Sequence, residues 1–172
     1  MKATELKENE YNPYYQGYVE AAGGKELLES LNDGIASFTA FMEQLPENKL
    51  KYAYASNKWT VAEVLLHFID TERIFAYRAL RFSRNDLTPL AGFEQDDYVP
   101  TSNANNRSKQ SILDEFISVR KATISLFENL DAPQLRTIGK ASNSPMSVAA
   151  IGFICCGHQN HHVKIIQDNY LG

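Results

Sequence analysis

Four histidines occur in 172 residues, and they fall in two places: His67 alone, and His158, His161 and His162 together. On a helix advancing roughly 100° per residue, His158 and His162 stand one turn apart within an apolar stripe that includes Val148, Ile151, Ile154 and Ile165. His161 falls on the flank of that stripe and is set aside as peripheral. Two imidazoles at i and i+4 on an inward face can both reach a point about 2 Å away, which suits a metal ion. They could equally be two core histidines satisfied by hydrogen bonds, and that alternative stays open. His67 lies at the edge of another apolar face, in line with Glu63, Asp70, Thr71, Ile74 and Arg78. If its helix neighbours the first, three neutral imidazoles converge from two rigid elements and leave a fourth coordination position open, the layout of a catalytic zinc site rather than a structural one.

A divalent ion on three neutral ligands keeps its full charge and would activate a water or a thiol. Zinc comes first, with nickel, iron and copper as alternatives, because all suit imidazole. Glu63 and Asp70, one turn either side of His67, could orient a ring N–H, although Glu63 reads first as a helix-capping glutamate. The chain has no H-E-x-x-H motif and no Glu-x-x-His pair, which disfavours a ferritin-like di-iron site. Arg120 shares a stripe with Ile112, Phe116, Thr123 and Phe127, so its guanidinium requires an anionic partner. That partner would be a carboxylate of the chain, such as Glu63 or Asp70, or the anion of a substrate. Arg78 invites the same two readings. Cys155 points inward but toward the preceding turn, and reads as a small core residue.

The elements that must carry these residues are helical. Residues 1–23 form a Tyr-rich lead with a short helix starting at Pro13 and ending before Gly23 and Gly24. Apolar residues at helical spacing predict long helices from Lys25 to about Leu45, from Thr60 to about Ser83, from about Asn105 to Leu130, and from Pro145 to about Asn169. Thr60 and Glu63 make a capping-box pattern, and Asn143 or Ser144 would cap the last helix. Between them, residues 84–103 read as a long functional loop and residues 131–144 as a second loop, with no strand of useful length. The expected architecture is all-α: one domain over residues 1–172, a four-helix bundle in up-up-down-down order.

Composition narrows the function classes. Hydrophobic residues make up 44% and charged residues 22%, ordinary for a globular domain. A net charge of −4 predicts repulsion from nucleic acid and from anionic membranes. The longest apolar run, Val148 to Cys156, is far shorter than the ~20 residues of a membrane span, and Met1 to Lys7 lacks an apolar signal core. Two adjacent cysteines, Cys155 and Cys156, cannot build a disulfide framework, and a reducing cytoplasm is the expected compartment.

Two segments resemble a known family. Lys58-Trp59-Thr60-Val61-Ala62-Glu63-Val64-Leu65-Leu66-His67, followed by Asp70-Thr71-Glu72-Arg73, is similar to the second-helix signature of DinB-like proteins. Gly157-His158-Gln159-Asn160-His161-His162, followed by Ile165-Ile166, resembles the fourth-helix signature. The Tyr-rich lead, the loop Gly92-Phe93-Glu94-Gln95-Asp96 and the third helix extend the resemblance over nearly the whole chain. It implies a four-helix bundle, a homodimer, and one divalent metal held by His67, His158 and His162. Relatives include transferases and isomerases that use a low-molecular-weight thiol, and members labelled metal-dependent hydrolases.

The expected function is therefore a metal-dependent enzyme that activates a thiol or water against a small electrophile, with Arg120 as a contact for a substrate anion. The alternative is a non-catalytic metal-binding or stress-response interaction protein that keeps the histidines and blocks the fourth position.

Overall fold

The four apolar-periodic stretches form four long helices in the computed structural model, which describes residues 1–172. In chain order the elements are α1 (Gln16–Ala21), α2 (Leu27–Gln44), α3 (Val61–Ser83), α4 (Gln95–Tyr98), α5 (Lys109–Phe127), α6 (Ala132–Leu135), β1 (Ile138–Ala141), β2 (Ser144–Ser147) and α7 (Val148–Tyr170). Side-chain caps fix where the long helices begin. Thr60 Oγ1 accepts the Glu63 N–H while the Glu63 carboxylate accepts the Thr60 N–H, completing the capping box. Ser108 and Ser147 cap α5 and α7 by accepting the N–H groups of Ser111 and Ala150. Each such cap stabilises a helix by about 1 kcal/mol.

Helices α2, α3, α5 and α7 make the bundle, with α3 packed between α7 and α5, and α2 closing the ring against both. Two apolar clusters fill its two ends. One joins Leu27 and Leu31 of α2 to Phe82 of α3, Phe127 of α5 and Ile151 of α7. The other joins Phe38 and Met42 of α2 to Leu65 of α3, Phe116 of α5 and Ile166 of α7. The beginnings of α2 and α7 thus share an end with the finishes of α3 and α5. The helices run up, down, down, up, which corrects the expected up-up-down-down order within the four-helix bundle.

The connections explain that order. The turn after α2 brings the chain back at the same end, with the Ala62 N–H donating to the Leu50 carbonyl at 2.9 Å. Only the segment from Arg84 to Ser108 crosses the length of the bundle, about 34 Å for a helix of 23 residues. It includes α4 and is held to the rest of the fold by Leu90, which donates its N–H to Lys140 and accepts one from Ser142.

Residues 131–144 are not a plain loop, and the last helix does not open at Pro145. Asp131 starts the short α6, and β1 and β2 then pair as an antiparallel hairpin with Ala141 opposite Ser144. Ser142 and Asn143 turn it with φ of 50° and 61°, the left-handed geometry that tight hairpins favour. Four-residue strands are too short to display alternation, and Pro145 is tolerated because the outer side of β2 pairs with no strand, whereas Leu90 bridges the outer side of β1.

Arg120 lies wholly inside the bundle. Its Nε and Nη2 donate to the two carboxylate oxygens of Glu72, each at 2.8 Å, and Nη1 donates to the Leu31 carbonyl. The expectation that Arg120 pairs with Glu63 or Asp70, or holds a substrate anion, is corrected: Glu72 occupies the guanidinium and no solvent reaches it. A Cβ on Gly34 would come within 2.1 Å of Arg120 Nη1, so α2 makes room for the charge with a glycine.

The N-terminal lead packs against α7 through α1. Gly157 permits this, since a Cβ there would meet the Tyr18 carbonyl oxygen at 1.7 Å. No helix is long and apolar enough to cross a membrane.

Candidate metal centre

Helix α3 presents His67 to α7, and α7 presents His158 and His162 one turn apart. His158 Nε2 lies 3.2 Å from His67 Nε2 and 3.0 Å from His162 Nε2. One ligand nitrogen from each of the three rings falls within 4.8 Å of the other two. His161, set aside from the sequence, is exposed and outside this cluster.

Hydrogen bonding cannot satisfy the arrangement. A neutral imidazole nitrogen carries either one N–H or one lone pair, so His158 Nε2 can complete one of its two contacts and not both. In addition, His162 Nδ1 is buried without a partner. A tetrahedral ion about 2.05 Å from each nitrogen would hold neighbouring nitrogens about 3.3 Å apart, close to the spacing of the two His158 contacts. The three residues fit a divalent metal.

Burial keeps the rings in the form that has a lone pair to offer. It lowers His67 to about 4, with the Asp96 charge acting in the opposite direction. Burial, reinforced by His67 and His161, lowers His162 to about 3. His158 is held well below the ordinary histidine range by burial first and by its histidine neighbours second. Aromatic side chains confine the rings: Tyr18 stands edge-on to His158 at 5.0 Å, Trp59 lies 5.0 Å from His67, and Phe68 stacks toward His162 at 6.5 Å.

Glu63 and Asp70 lie near His67 without bonding to it. Glu63 serves the α3 cap and accepts the Asn105 side-chain amide at 2.9 Å. Asp70 pairs with Arg73 at 3.4 Å, and burial raises its pKa. Cys155 and Cys156 are buried in the core, and burial pushes the Cys156 thiol up to about 12, which removes both from nucleophilic roles at neutral pH.

Three cavities touch the cluster. A small one of about 10 Å³ meets His67 beside Glu63 and Asp70. One of about 250 Å³ reaches His158 between the tyrosines of the lead, Phe75 and Phe93. A third, of about 300 Å³, meets His162 beside Trp59 and Tyr170. The sequence did not single out Tyr18 or Ser142 as neighbours of this region. The adjacency of Gly157 to His158 was the one local signal that another backbone comes close there.

The model of the DinB superfamily matches residues 30–166, most of the chain. The chain belongs to the DinB superfamily. Among solved structures it is similar to YfiT from Bacillus subtilis, with a TM-score of 0.74 over 83% of this chain and 82% of that one, at 14% sequence identity. YfiT is described as a probable metal-dependent hydrolase with an unusual four-helix bundle topology. At that identity the likeness establishes the shared fold. No curated protein matches the chain.

Proposed function

We propose that this protein is a metal-dependent enzyme in which His67, His158 and His162 hold one divalent transition metal, zinc by first choice, to activate a water or a low-molecular-weight thiol against a small electrophilic substrate. One observation carries the reading: two imidazole nitrogens press on His158 Nε2, which has capacity for a single hydrogen bond. When bound, the ion supplies Lewis acidity that lowers the pKa of an oxygen or sulfur nucleophile. The chain contributes three uncharged ligands, aromatic walls that limit ring rotation, and cavities in which a substrate can approach. Those cavities favour an enzyme over a purely metal-binding or interaction protein, which has no need of space at the site. Superfamily membership, together with the description of YfiT, supports the hydrolytic branch. The thiol-transfer branch rests on the resemblance to thiol-using relatives.

The reading includes a reducing cytoplasmic setting, supported by the two buried free cysteines. It also includes a homodimer, for which the exposed Tyr77 and Leu80 on α3 offer an apolar face.

The decisive experiment is elemental analysis of protein purified without a metal-affinity tag. One equivalent of metal is expected in the wild type and none in His158→Ala. A variant that keeps stoichiometric metal overturns the ligand set. Screening the loaded protein against simple esters, amides and activated halides, with and without thiols, then separates the two branches.

A further inference from the structure

Arg78 differs from Arg120 in one decisive respect. Both are buried arginines, Arg78 at 2% exposure, but Arg78 has no carboxylate partner. Its Nη2 donates to the Ala91 carbonyl at 3.2 Å and to Ser142 Oγ at 3.0 Å, while Nη1 is buried with no partner at all. The titratable group that faces it is the neutral phenol of Tyr15. The rings of Phe75 and Phe93 cover the guanidinium, at 5.0 and 5.7 Å from its carbon. A buried cation supported only by neutral groups is costly to the fold, and an anion bound close by would offset that cost.

The place it would visit is defined. Tyr15, Phe75, Phe93 and Ser142 surround Arg78 and also line the cavity of about 250 Å³ that reaches His158. Thr71 lines the same cavity, and its Oγ1 is likewise buried without a partner. Thr71 lies one turn of α3 beyond His67, and Arg78 about two turns further on the same side. An unsatisfied hydroxyl and a histidine of the cluster therefore line one cavity, and the cation lies directly behind its wall, donating to the Ser142 hydroxyl that faces the cavity. Glu94 also borders it, but that side chain is exposed and accepts the Asp96 N–H, and its charge disfavours a second anionic group on the ligand.

We infer that this cavity binds a small monocarboxylate with an apolar body, its carboxylate on the Ser142 hydroxyl that Arg78 backs, its body against Phe75, Phe93 and Ile154, and its far end toward the histidines. The inference names a substrate class for the metal-dependent reading and rests on that reading only for the chemistry at the far end. Binding itself requires Arg78 and not the metal.

Benzoate and benzamide, which share a body and differ in charge, make the test, by calorimetric titration of zinc-loaded and metal-stripped protein. Benzoate should bind at least about ten-fold more tightly than benzamide to both forms, as an unpaired buried cation just behind the cavity wall requires. Arg78→Gln should lose that preference while melting at or above the wild-type temperature, because it removes an unpaired buried charge. Arg78→Lys should keep part of the preference. Equal binding of the two ligands by the wild type overturns the inference without recourse to any variant. So does a preference that survives Arg78→Gln, or one that vanishes when the metal is stripped, since the carboxylate would then sit on the metal. Zinc uptake measured in the loading arm tests the metal reading separately: protein that takes up no zinc when zinc is offered, yet prefers benzoate, upholds the carboxylate site and overturns the metal assignment.

Discussion

Arg120 and Glu72 meet in the middle of the bundle through two parallel hydrogen bonds of 2.8 Å, with neither side chain open to solvent. The pair ties α5 to α3, and through the Leu31 carbonyl to α2, at the level between the two apolar clusters. Removing one partner strands the other charge in the core. Glu72→Gln or Arg120→Met should therefore destabilise the fold by about 3–5 kcal/mol, measured by urea denaturation. Replacing both with apolar residues of similar volume should recover most of that loss, which separates the cost of a stranded charge from the worth of the pair.

Metal should stabilise the protein through the native state alone. With free zinc at about a hundred times its dissociation constant, stability should rise by about 2.7 kcal/mol, seen as a higher melting temperature that a chelator reverses. His162→Ala should abolish that shift while leaving the helical circular dichroism intact.

The metal-free protein should lose stability in acid over a specific window. Unfolded histidines take up protons near 6.5, whereas folded His67 does so only at about 4 and His162 at about 3. Between those values the unfolded chain binds more protons, so stability rises with pH and falls as the solution is acidified from about 6.5 toward 4. His67 alone accounts for about 3 kcal/mol of that loss. Denaturation midpoints at several pH values should show this slope, and His67→Phe should flatten it.

Close approach of α1 to α7 depends on Gly157, so Gly157→Ala should displace the Tyr18 backbone and loosen the ring that confines His158. A stability loss of about 1–3 kcal/mol is expected, as for other overpacked sites. Limited proteolysis should cut the variant within residues 1–23 at protease levels that spare the wild type.

Local pattern was enough for several features. The i, i+4 spacing of His158 and His162 on an apolar stripe placed both on one helix face, because helical geometry fixes neighbours one turn apart. The Thr60–Glu63 capping box set the start of α3 for the same reason, since it involves only groups three residues apart. Apolar periodicity and length required a bundle of four helices. Tertiary structure decided what depends on groups far apart in the chain. The approach of His67 to His158 spans 91 residues and required α3 and α7 to be neighbours. The partner of Arg120 is Glu72, roughly 140° around the helix from His67, whereas Glu63 and Asp70 share the side of His67. Helix direction followed from which connection crosses the bundle, and the hairpin at Ser142 and Asn143 from two left-handed residues that periodicity does not register. The sequence alone carried the residue types and their faces; only packing could select which faces meet, because that choice belongs to the whole set of apolar surfaces buried at once.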